Sequence, residues 1–204
     1  MKRRTLVQTV ALAPALGQGA GSGNPAEFRF AGGPDGEWNV TRMSAYRGAN
    51  LETVERVAVV QGGGSLPASY RWMLRGVTSN TRYATAEEVA TLRARQPALG
   101  RPEATSAALI PIRKSAAWWA LAQDQRRALF EETSHHTAIG LDYLPAIARR
   151  LHHSRDLGEP FDFLTWFEFA PKDEAKFDEL LARLRATKEW TFVEREVDIR
   201  LERV

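Results

Sequence analysis

The chain has 204 residues, 44% hydrophobic and 26% charged, which is enough to bury a core and ordinary in balance for a globular protein. It has no cysteine, which excludes iron–sulfur clusters, zinc ribbons, thiolate haem ligation and disulfides, so any haem needs a His, Tyr or Met ligand. Its net charge is +3 with Lys and Arg interleaved among Asp and Glu. That pattern does not indicate nucleic-acid binding and suits a small anionic substrate.

No apolar run reaches the ~18 residues of a membrane-spanning helix, so no membrane role is expected. The N-terminus reads as an address. Lys2-Arg3-Arg4 is followed by a short apolar run from Leu6 to Leu16 and then by small residues from Gly17 to Gly23. This is the order of an export signal, and Arg3-Arg4-Thr5-Leu6-Val7 has a twin-arginine look. Residues 1–24 are therefore expected to be an export signal delivering the protein to the periplasm. A disordered tail on a cytoplasmic protein is the alternative, because Gln8, Thr9 and Pro14 interrupt the apolar run.

Residues 25–100 are predicted to form a first, abbreviated structural half. Phe28–Phe30 reads as a short strand between turn signals at Asn24-Pro25 and Gly33-Pro34-Asp35-Gly36. Trp38 to Tyr46 suggests a strand, and Leu51 to Val60 a short helix broken by Gly62-Gly63-Gly64. No Gly-Lys-Ser/Thr follows those glycines, so a phosphate loop is not indicated. Tyr70 to Tyr83 reads as a long strand, or two strands bent at Gly76. Thr85 and Glu88 then form a capping box that opens a helix ending before Pro97.

Residues 101–204 are more legible. A strand near Ala107–Ile112 leads through Trp118-Trp119 to a helix from about Asp124 to Ile139. After a reversal at Leu144-Pro145 comes a strand over Ala146–Ser154. Gly158-Glu159-Pro160 turns the chain into a strand over Phe161–Phe169, whose Phe161, Phe163, Thr165, Phe167 and Phe169 share one side. Asp173 to Ala186 is an amphipathic helix with Phe177, Leu180, Leu181 and Leu184 as its apolar stripe. Thr191–Leu201 closes the chain as a strand. The order β-α-β-β-α-β is the ferredoxin-like unit, and the first half reads as a trimmed copy of it. The fold class is thus α+β, two ferredoxin-like units with helices on the outer faces of antiparallel sheets.

The chemistry concentrates between Lys114 and Asp156, which holds all four histidines. Alternation along Ala146–Ser154 sets Arg149 and Leu151 on one face, with Arg150 and His152 on the other. One arginine can then face a pocket while its neighbour is solvated, but the pattern alone favours a pair of surface arginines. A buried arginine would call for an anion or carboxylate beside it. His135 and His136, adjacent on a predicted helix, diverge by about 100° and cannot both address one site. Each reads from pattern alone as a surface or supporting residue. Trp118-Trp119 reads as core packing or an interface anchor.

The segments LGRPEATSAALIPIRKSAAWW, EETSHHTAIGLDYLPAIARRL and HSRDLGEPFDFLTWFEFAP resemble the chlorite dismutase family, closest to its short, dimeric branch, over roughly residues 26–204. The resemblance implies a dimeric α+β barrel-type fold, a homodimer, and one haem b per subunit. It implies an enzyme that decomposes chlorite to chloride and molecular oxygen. On the matching positions, His136 corresponds to the iron ligand, Glu189 to the carboxylate bonded to it, and Lys114 to the lysine of the same network. Trp118 and Trp119 correspond to a pair lining the haem, and Tyr83 to a residue near the propionates. Arg149 corresponds to the distal arginine that acts on substrate, with Leu151, Thr165 and Phe167 as distal walls. A coproporphyrin-iron decarboxylase, a haem peroxidase and a non-enzymatic haem carrier are the alternatives. Arg149 argues against the decarboxylase, whose representatives lack that arginine.

Overall fold

The computed structural model describes residues 24–63, 66, 69–78 and 82–204. Apart from Asn24, the predicted export segment lies outside the described residues.

Four strands form the first half: β1 (Glu27–Gly33), β2 (Trp38–Arg47), β3 (Arg56–Gln61) and β4 (Trp72–Val77). Helix α1 (Ala86–Arg95) follows, with the predicted capping box between Thr85 and Glu88. The second half contains β5 (Ser106–Lys114), short helices α2 (Ala116–Ala120) and α3 (Gln123–Arg127), a π-helical turn at Ala128–Thr133, and α4 (His136–Asp142). It continues with β6 (Ala148–His153), β7 (Phe163–Phe169), α5 (Glu174–Arg185), a 3₁₀ turn at Glu189–Phe192, and β8 (Val193–Arg203).

The strands close into a barrel in the order β1-β3-β2-β8-β5-β7-β6-β4, with every pairing antiparallel. Within the second half the order β8-β5-β7-β6 is that of a ferredoxin-like sheet. The first half repeats it as β4-β1-β3-β2, and among the described residues neither of its crossovers carries a helix. The outer edges of the two sheets then meet, β2 on β8 and β6 on β4.

Strand alternation divides the apolar residues between two cores. Phe28, Phe30, Leu74, Leu109, Trp166 and Ile199 fill the barrel interior. The opposite faces of β5 and β7, carrying Ile110, Ile112, Phe167 and Phe169, pack against α4 and α5. The α5 stripe of Phe177, Leu180, Leu181 and Leu184 is buried there, as its spacing predicts. Phe161 precedes β7 instead of belonging to it, and its ring joins the barrel interior.

Three expectations change. Residues 51–60 do not form a helix: an irregular stretch leads into β3, where the valine-rich run Val57-Ala58-Val59-Val60 pairs along β1. The strand over Tyr70–Tyr83 stops at Val77, and Tyr83 adopts a left-handed φ of 62° that no strand accommodates. The helix over Asp124–Ile139 is interrupted after the π turn, because His135 sits at φ 53° and restarts the chain as α4.

One buried feature makes the fold sensitive to acid. His152 points into the barrel between Phe28 and Phe30 and donates from Nδ1 to Leu164 O at 3.1 Å. Burial pushes its pKa down to about 4 and does the same to His153. Unfolded histidines take up a proton near pH 6.5, whereas these two resist until about pH 4, so the unfolded chain binds more protons in between. Their stabilising contribution is complete above pH 6.5 and lost as pH falls towards 4, by about 3 kcal/mol at full extent for the more deeply buried His152 and by less for His153, which borders the cavity. Denaturant unfolding between pH 7 and 4.5 should therefore show a clearly shallower pH dependence in His152→Gln/His153→Gln than in the parent. Parallel profiles would contradict this account.

Candidate functional site

A cavity of about 430 Å³ lies between the helix-facing side of β5, β7 and β6 and the segments around α4, α5 and α1. Its chemistry begins at the end of β5. The β5–β8 register shifts between Arg113 and Lys114, and Lys114 N donates to Asp162 Oδ2 at 2.7 Å. The Lys114 side chain is thereby sent inward, where Nζ meets Glu189 Oε1 at 2.6 Å. The other oxygen of Glu189 meets His136 Nδ1 at 2.7 Å.

Lys114 and Glu189 are only 5% and 3% exposed, so neither charge could stand there without the other. Burial alone would push the Glu189 carboxyl up. His136 and Lys114 outweigh that and hold it well below the usual carboxylate range. An ionised carboxylate only accepts, so His136 carries its proton on Nδ1 and Nε2 is left as a ligand atom.

Three further groups fix that imidazole. Glu131 caps the start of α4, accepting from Thr137 N at 2.6 Å and Ala138 N at 3.2 Å. Ser134 Oγ accepts from Glu189 N at 2.9 Å. Phe130 stacks on the ring with centroids 4.3 Å apart. His135, by contrast, is exposed in its left-handed conformation. The discrimination between the two histidines comes from this break in the chain, not from divergence along one continuous helix.

Arg149 and Leu151 line the cavity from β6, with Thr165 and Phe167 beside them on β7. The Arg149 backbone is held by Gln96, whose Nε2 donates to its carbonyl at 2.7 Å. Its guanidinium lies over Gly140 of α4, where a Cβ would come within 3.8 Å of Cζ. Among the described residues no carboxylate pairs with it, and burial pulls its pKa below the ordinary arginine value. An arginine stays charged there regardless, so the cavity contains an uncompensated cation. Arg150 is not simply solvated: like Arg149 it is half-buried and borders the cavity, but its guanidinium lies 5.0 Å from the Phe28 ring centre.

The rim is built around Tyr83. Arg126 donates to its hydroxyl at 3.3 Å, and Arg127, paired with both oxygens of Glu88, donates to its carbonyl. Trp118 packs edge-on against Tyr83. Trp118 Nε1, Thr78 Oγ1 and His153 Nδ1 all belong to cavity-lining residues and are buried without a hydrogen-bond partner.

Trp119 is not part of the cavity. It stacks on Phe163, donates from Nε1 to Asp162 Oδ2 at 3.1 Å, and lies under the Arg155 guanidinium. Of the adjacent tryptophans, only Trp118 contributes a wall.

These residues fit a haem b. His136 Nε2 would reach its iron and the apolar walls would take the ring. Unpartnered Trp118, Thr78 and His153 can bond the oxygens of its propionates. Among the described residues no cluster of three or more His, Asp or Glu could hold a bare metal ion.

Glu131, Ser134, Phe130, Asp162 and Gln96 all position functional groups, and sequence reasoning did not single them out. Glu131 left no readable signal either, because the helix start it caps lies inside what the sequence presents as one continuous helix.

The described chain matches the family model for chlorite dismutase over residues 40–203. It is 36% identical over 81 residues to a chlorite dismutase of Ideonella dechloratans, a match that spans 40% of this chain and 26% of that protein's length. Among solved structures, a dimeric chlorite dismutase from Nitrobacter winogradskyi is 53% identical and superposes with a TM-score of 0.81, covering 87% of this chain and 99% of that one. The chlorite dismutase of Candidatus Nitrospira defluvii in complex with imidazole is 22% identical with a TM-score of 0.62, covering 86% and 90%, and shares the fold. By the length of the family match and the identity to the Nitrobacter protein, the chain belongs to the chlorite dismutase family.

Proposed function

We propose that this protein is a haem b enzyme that converts chlorite to chloride and molecular oxygen. The observation that carries the reading is the pairing, across one apolar cavity, of an imidazole held at Nδ1 by Glu189 and a half-buried arginine that has no carboxylate partner among the described residues. Family membership supports the same chemistry.

When bound, the haem supplies an iron able to accept an oxygen atom from chlorite and to return it. The chain's own residues do the rest. Glu189 keeps the proton on His136 Nδ1 and makes the imidazole a stronger donor, while Lys114 keeps Glu189 ionised. Arg149 draws in chlorite and orients it with a fixed fork of N–H donors. Hypochlorite, the species left when chlorite gives up one oxygen, is still an anion, so the same guanidinium would hold it within the cavity. Leu151 and Phe167 exclude water, which strengthens that hold. The overall change, ClO2⁻ to Cl⁻ and O2, needs no proton and therefore no general base.

The test is an oxygen-electrode trace on addition of chlorite to the haem-loaded protein. One oxygen is expected per chlorite consumed, and chlorite loss without oxygen would refute the reading. In the same preparation, His136→Ala should lose the Soret band of the ligated haem while His135→Ala keeps it.

Arg149→Ala should still consume some chlorite. It should also chlorinate an added scavenger, bleach its haem sooner and yield several-fold less oxygen before inactivation, whereas Arg150→Ala should behave like the parent. Full oxygen yield from Arg149→Ala, with no added scavenger chlorination, would reduce the arginine to a steering charge.

We also propose that the protein is a homodimer, as the Nitrobacter relative is described to be. Sedimentation should give twice the chain mass; a monomer or pentamer would contradict this.

A further inference from the structure

Immediately behind the Lys114–Glu189–His136 chain stands a residue the proposed reaction does not use. Trp190 follows Glu189 in the 3₁₀ turn and is itself 3% exposed. Its ring lies close to parallel with the His136 imidazole, at 22° and 6.1 Å between centroids. The Lys114 ammonium is held between two indoles, 4.6 Å from Trp118 and 5.3 Å from Trp190. Trp190 therefore flanks both partners of Glu189.

Its single polar atom points away from them. Trp190 Nε1 donates to Glu196 Oε2 at 2.6 Å, and Glu196 is fully buried on β8. The other oxygen of Glu196 accepts from Arg185 Nε at 2.8 Å and from Nη2 at 2.6 Å. Arg185 also reaches Asp198, which pairs with Arg200, which pairs in turn with Asp178. From the first half of the barrel, Arg47 Nη1 donates to the carbonyls of Trp190 and Val193 at 3.1 and 3.0 Å.

Filling this space needs only an apolar ring. A fully buried carboxylate is a costly way to do it, since ion pairs in such positions are often replaceable by hydrophobic residues without loss of stability. What the carboxylate adds is direction. A charge-assisted N–H bond at 2.6 Å permits one orientation of the indole, and the indole is continuous with the backbone that carries Glu189.

We infer that Arg185, Glu196 and Trp190 form a positioning array that fixes the Glu189 carboxylate and the Lys114 ammonium against His136. It thereby sets how strongly the imidazole donates to the haem iron. The inference rests on the haem reading above. Glu196 and Arg185 act only through Trp190, and none of the three touches substrate.

The test uses the haem-loaded protein and reads the iron–imidazole stretching band of the ferrous form by resonance Raman, together with haem transfer to apomyoglobin. Trp190→Phe keeps the aromatic face and removes the N–H. It should lower and broaden the band and speed haem loss by about tenfold, the scale on which supporting hydrogen bonds affect metal affinity. Glu196→Gln should move both readings in the same direction, and it decides the matter if Trp190→Phe does not fold. Asp178→Asn cuts the far end of the charge array, where Asp178 is exposed, and should lower the Tm while leaving band and haem loss at parental values. If the folded Trp190 and Glu196 variants differ from the parent only in Tm, the array is merely structural and the inference fails. A parent protein with no iron–imidazole band would overturn the haem reading itself.

Discussion

The arrangement of the cavity depends on a single buried carboxylate. Glu189 accepts from an ammonium on one oxygen and from an imidazole on the other, at 2.6 and 2.7 Å, in a place where neither water nor bulk dielectric softens a mismatch. Removing either donor would leave a charge that the surroundings cannot solvate. The three elements that supply these groups, the end of β5, the start of α4 and the 3₁₀ turn before β8, are consequently tied together by electrostatics as much as by packing.

That tie explains several local irregularities that would otherwise look unrelated. The register shift before Lys114, the left-handed His135 and the 3₁₀ turn at Glu189–Phe192 each spoil a regular element. Each also delivers a polar side chain or its support to the same point. Across the cavity the logic reverses. The strand β6 is regular, Arg149 projects from it by simple alternation, and its charge is left unmatched among the described residues. One wall balances its charges internally, and the other keeps a cation available for an anion from outside.

How much of this was legible in the sequence follows from how local each cause is. The α5 stripe, the Thr85–Glu88 capping box and the alternation that separates Arg149 from Arg150 depend on neighbours within a few residues, and they can be read directly. The ferredoxin-like order of the second half follows from such elements taken in sequence. The stretch 51–60 was misread because its valines gain their strand from pairing with β1, a contact some thirty residues away. The break at His135 is invisible locally, since nothing in Thr-Ser-His-His announces a positive φ. Trp119 looks identical to Trp118 in the sequence, and only Asp162, more than forty residues on, draws its indole out of the cavity. The resemblance to a family supplied the roles of His136 and Glu189. The residues alone left His136 undistinguished from a surface histidine.

The barrel is closed unevenly. β2 and β8 pair along most of their length, but among the described residues β4 meets β6 only at Val77 and His153. There the backbones approach so closely that a Cβ on Gly76 would lie 2.6 Å from the Cβ of His152. Four buried polar atoms without partners, on Thr78, His152, His153 and Ser154, gather along this same line. A sheet gains its cooperativity from repeated ladder bonds, and here the ladder has a single rung. The circle of strands is best regarded as a necklace with a clasp. Among the described residues, separating β4 from β6 would sacrifice little backbone bonding, so an opening of the barrel along the edge where Thr78 and His153 border the cavity costs little.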